Sequence, residues 1–214
     1  MEQNAAPAVR EHHVHQRHFD RLVMLSDGVF AIALTLSAVE LRPETKPGQT
    51  LPQVWGLPLL AYFLTFFIIG MVWLQHRRAL AQLRRSDNTL TLITLVLLSM
   101  IALMPVVIRT MVTGESGVDS TSGFVIYALS LLVINLCLAA GWGYAAFIGH
   151  LVPDMPRPKA WGWLMHDLFV ALVWAAIACW FLHLAWIVAL MGALALAARI
   201  ASARLGRRAA PDPG

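Results

Sequence analysis

Polar side chains are sparse in this chain, and the informative ones lie inside or at the ends of long apolar runs. Ser26 and Asp27 precede Gly28-Val29-Phe30-Ala31-Ile32, and Thr35 follows about two turns after Asp27. Trp73-Leu74-Gln75-His76 closes a second apolar run. Ser99 and Pro105 lie in a third, Asn135 in a fourth, and His166-Asp167 begin a fifth. Groups at such positions can hydrogen-bond neighbouring helices, cap a helix end or line an ion path. They do not suggest hydrolysis. Neither Gly-x-Ser-x-Gly nor His-Glu-x-x-His occurs, so an enzyme is not expected. Cys137 and Cys179 lack a Cys-x-x-Cys spacing and read as small apolar fillers. His12, His13, His15 and His18 could hold a metal, but a solvated basic tail is the simpler reading.

The elements that position these residues are membrane spans. Of 214 residues, 58% are hydrophobic and only 13% charged, too few charges to cover a soluble surface. A net charge of +4 scattered between apolar segments fits a membrane surface better than nucleic acid, and no nucleic-acid partner is expected. A helix needs roughly 20 apolar residues to cross a bilayer. Six segments meet this requirement: about Arg21–Leu41, Val54–Gln75, Leu90–Val112, Phe124–Ile148, Ala160–Trp180 and Ala185–Ala203. The last boundary, near Phe181–Leu184, carries neither Gly nor Pro, and one long tilted helix competes with it. The expected layout is all-α and polytopic: a tail over 1–18, a six-helix transmembrane domain over 19–205, and a tail over 206–214. Both tails read as disordered, the first without a signal-peptide core.

Six spans put both termini on one side. That side then holds 13 of the 16 lysines and arginines, leaving Arg42, Lys46 and Arg109 opposite. The positive-inside rule places both termini in the cytoplasm of a cell (inner or plasma) membrane. Glu40, Glu44, Glu115 and Asp119 then fall on or near the outer side, where Glu40 could concentrate cations.

At 100° per residue, Leu25, Val29, Ile32, Leu36 and Val39 form one stripe on the first span, with Thr35 at its margin. Ser26 and Asp27 point away from it, toward the protein. Trp73 and His76 share their depth and are the candidate partners. By itself, such a stripe is most simply packing or lipid contact, Asn135 interhelical glue, and Thr35 a hydroxyl bonded back to its own helix.

The run from Arg21 to Leu36, with Ser26-Asp27, Ala31-Ile32 and Thr35-Leu36, resembles the first-helix signature of the transmembrane protein 175 family of potassium channels. Trp73-Leu74-Gln75-His76 resembles that family's Trp-x-x-His. Leu25 stands where the family usually has Phe, and Arg77 where a second His often follows. The resemblance covers essentially the whole chain, in the form of a single six-helix prokaryotic unit. It implies a homotetramer with the first helices around a central pore and no Thr-Val-Gly-Tyr-Gly filter. Ile32 would form the apolar constriction, with Leu36 and Val39 as outer layers and Thr35 between them. Arg21, Ser26, Asp27, Trp73 and His76 would form a structural signature network. The implied partners are further copies of the chain, membrane lipid and permeant K+; no cofactor is implied, and no metal beyond transient K+. Such an apolar ring gates by dewetting. A secondary transporter or proton-coupled cation carrier is the alternative, although only the neutral Thr35 and Asn135 approach mid-depth.

Overall fold

A computed structural model describes residues 5–41, 47–113 and 120–208. Six long helices follow one another: α1 (Ala5–Val39), α2 (Leu51–Leu80), α3 (Asn88–Thr113), α4 (Ser120–Gly143), α5 (Arg157–Phe181) and α6 (Ala185–Arg208). A single π-helical turn, Tyr144–Ile148, extends α4. Each helix contains a stretch long and apolar enough to cross a membrane, so the chain is a polytopic membrane protein.

Local chemistry accounts for the helix ends. Gln53 Oε1 accepts the Thr50 N–H at 2.9 Å at the start of α2, and Pro52 sits in the first turn, where a missing N–H costs nothing. Asp87 begins α3: its Oδ1 accepts the Leu90 N–H at 2.9 Å, and its Oδ2 accepts the Tyr144 hydroxyl from the π turn.

The turn that lacks Gly and Pro is present at 182–184, dividing α5 from α6. His183 takes a left-handed φ of 57°. The Leu184 N–H then reaches Cys179 O, and the His183 N–H reaches Trp180 O, both at 3.0 Å. This is a Schellman closure with His in the place glycine usually fills. The other departure is at the first helix. α1 is helical from Ala5, not from near Arg21, so residues 5–17 of the expected disordered head are helical. The side chains of His12, His13 and His15 lie outside the described set, as do Arg42, Glu44, Lys46, Glu115, Asp119 and the tail beyond Arg208.

The main core lies among α1–α4. Phe30 and Ala33 of α1 meet Ile69 and Val72 of α2, Leu97, Ile101, Met104 and Ile108 of α3, and Leu131 and Ile134 of α4. α5 packs on α4, and α6 packs on α5. A smaller cluster at the arginine-rich end joins Leu90, Trp142, Leu151 and Ala160.

Candidate functional site

α1 has two faces of different character. Leu22, Ser26, Phe30, Ala33 and Ser37 are buried, and they fall within one 80° sector of the helix. On the adjoining sector, Ile32 is 59% exposed, Leu36 46% and Val39 58%, and Leu25 and Thr35 are exposed too. Among the described residues, nothing buries these side chains. The Thr35 hydroxyl lies 3.1 Å from Ala31 O and 2.9 Å from Ile32 O, so it is satisfied by its own helix.

The structure brings Ser26, Asp27, Trp73 and His76 together, in two separate contacts. Trp73 Nε1 donates to Asp27 Oδ1 at 2.8 Å. His76 Nε2 lies 3.3 Å from Ser26 Oγ, which donates to Leu22 O at 2.8 Å. The two residues straddle the inner face: Ser26 is buried, while Asp27 lies exposed at its edge. The corner is closed by rings. Phe30 and His76 meet as tilted rings, 5.9 Å between centroids and 33° between planes, and the Arg77 guanidinium lies over Trp73 at 5.4 Å. Arg21 is not part of this corner. It lines a cleft between the middle of α1 and the start of α3 together with Arg85 and Asp87.

Glu40 does not stand free at its end of the bundle. Its Oε2 lies 3.4 Å from Arg109 Nη1, tying the end of α1 to α3. Asn135 is buried and donates to its own helix at Leu131 O, 2.8 Å away, not to a neighbouring helix. The interhelical bond in that region is Thr65 to Tyr127, at 3.0 Å.

Several contacts have no short-range signal in the sequence. Gln75 Nε2 donates to Asp167 Oδ1, joining α2 to α5. Arg84 forms a forked pair with Asp154, with N···O distances of 2.7–3.0 Å, joining the α2–α3 loop to the segment before α5. Ser86-Asp87-Asn88 ahead of an apolar run was a readable helix-start signal. Among the described residues, no three His, Cys, Asp or Glu side chains gather as a metal site.

A family profile described as "Endosomal/lysosomal potassium channel TMEM175" matches residues 21–105, which include α2, most of α3 and the exposed stripe of α1. Over those residues the chain is similar to the TMEM175 family. A protein of Streptomyces collinus named as a potassium channel is 28% identical over 149 residues, covering 65% of this chain and 71% of that protein. One of Chryseobacterium, also named as a potassium channel, is 33% identical over 88 residues, or 40% and 45% of the two chains. The human endosomal/lysosomal proton channel TMEM175 is 25% identical over 143 residues, 64% of this chain and 28% of that longer protein. No solved structure matches.

Proposed function

We propose that the chain is a potassium-selective channel of the cell membrane, built from four copies around one axis, with both termini in the cytoplasm. The α1 stripe lines its pore. Ile32 forms the constriction and hydrophobic gate, Leu36 and Val39 form outer layers, and Thr35 is a polar contributor between them. The observation that carries this reading is the division of α1. The helix packs its Ser26–Phe30 face against its own bundle and leaves Ile32, Leu36 and Val39 uncovered. Four such faces meeting by closed rotational symmetry would cover one another and enclose a conduit. A narrow ring of isoleucines excludes water and ions, and a slight widening admits a partly hydrated cation. In this arrangement Ser26, Asp27, Trp73 and His76 set the rotation of α1 about its axis and make no contact with the ion, while Arg21 sits at the cytoplasmic entrance.

The relatives' names divide between potassium and proton channels, so the test separates the two ions. Purified protein in planar bilayers should show unitary currents that reverse near the K+ equilibrium potential. Ile32→Asn should raise conductance and move the reversal toward that of Na+. Currents that follow the proton gradient would replace potassium with protons as the permeant ion. Transport without unitary steps would favour a carrier, and an Ile32→Asn variant with unaltered conduction would remove Ile32 from the gate.

A further inference from the structure

A cavity of about 340 Å³ opens between α2, α4, α5 and α6, at the end of the bundle that carries Arg77, Arg78, Arg199 and Arg204. Asp167 lines it. This residue is only 7% exposed, in the first half of a membrane helix, and its Oδ1 accepts one amide hydrogen from Gln75. A carboxylate so far from water is held by an opposite charge or by several donors, and one amide falls short of that. Arg78 lines the same cavity, yet the two form no ion pair.

Apart from Arg78 and the rings of Trp142, Trp163 and His166, the remaining polar lining is made of acceptors. Ser202 commits its hydroxyl hydrogen to Gly162 O at 3.0 Å and keeps its lone pairs. Gln75 donates to Asp167 and keeps Oε1 as an acceptor. With the second oxygen of Asp167 this makes three acceptor groups, which match the three N–H donors of a primary ammonium. Arg78 supplies the complementary pole for a phosphate. Leu74 and Met71 lie one and two turns back from Arg78 on the same face of α2. Both are exposed and apolar, with Met71 at 63%. An acyl chain can follow that face into the bilayer, which a soluble zwitterion would not use.

We propose that this cavity binds the headgroup of a phospholipid bearing a primary ammonium, of the phosphatidylethanolamine class. The ammonium sits among Asp167, Gln75 and Ser202, the phosphate against Arg78, and an acyl chain along Leu74 and Met71. The site lies away from the α1 stripe and does not depend on which ion the protein conducts.

Native mass spectrometry of the delipidated full-length protein tests this, with phosphatidylethanolamine, phosphatidylcholine and phosphatidylglycerol added in turn. Wild type should prefer ethanolamine over choline lipid by about ten-fold, the worth of one charge-assisted hydrogen bond. Asp167→Asn, which can still accept from Gln75, should abolish that preference and leave phosphatidylglycerol binding unchanged. Ser202→Ala should shrink the preference and keep the charge. Arg78→Gln should weaken ethanolamine and glycerol lipids alike. Soluble phosphoethanolamine at the same concentration should not displace the lipid. Equal binding of ethanolamine and choline lipids by wild type, or an Asp167→Asn protein that keeps the preference, overturns the proposal. Displacement by the soluble compound overturns the lipid as ligand.

Discussion

At the scale of single residues, Ser26 and Asp27 are adjacent in sequence yet do different work. Ser26 is buried, and its oxygen serves both Leu22 O and His76. Ser26→Ala leaves the imidazole facing a methyl group in a dry corner, a loss on the order of 1–2 kcal/mol for an unsatisfied buried group. Asp27 is exposed at the edge of the face, so Asp27→Ala removes only the bond from Trp73 and should cost less. Both variants should lower recovery of assembled protein and leave ion preference untouched. Size-exclusion profiles alongside reversal potentials check this. A shift in selectivity alone would mean that the pair faces the ion path. The sequence made this corner legible because Trp73 and His76 share the depth of Ser26 and the i, i+3 spacing brings both to one side of α2. The partner of Asp167 was not legible. Gln75 is 92 residues away, and no periodicity connects them.

At the scale of elements, hydropathy located every span, because a bilayer imposes a minimum apolar length on each one. It located the ends less well. α2 runs to Leu80 and α6 to Arg208, past the apolar stretches, since a helix continues into water when its arginines can be solvated. The same reason lets α1 begin at Ala5. The α5–α6 turn was found by counting residues, not by a breaker, and the structure shows why no breaker was needed: His183 adopts the left-handed conformation itself. That conformation costs a non-glycine residue roughly 1–2 kcal/mol. His183→Gly should therefore hold or raise the unfolding temperature in detergent. His183→Val should lower it, because a branched Cβ suffers most at positive φ. Tryptophan fluorescence reads both. A valine variant as stable as wild type would mean that the turn is not under strain.

At the scale of the molecule, α1–α4 share one interior, while α6 buries little beyond Ala195. One protomer also leaves the α1 stripe bare, so the proposed pore is a property of the assembly. Mass measurement in mild detergent should give four copies. Adding Ile32→Asp should lower conduction or assembly while the protomer still inserts, because the stripe contributes little to the protomer's own core. A monomer that conducts, or a dimer as the stable species, would contradict the fourfold arrangement. Cysteine labelling should find both termini on the side of the 13 clustered basic residues.

The leaning of α6 on α5 has a biosynthetic consequence. When α6 leaves the ribosome, its main docking surface is its immediate predecessor, and the tight closure at His183 brings the two together at once. They should enter the bilayer as a hairpin, after the first four helices have settled. Leu190→Lys, a charge at an exposed point of α6, should trap late intermediates in which residues before Arg157 resist protease and those after it do not. Uniform digestion of the whole chain would show instead that all six helices are secured together.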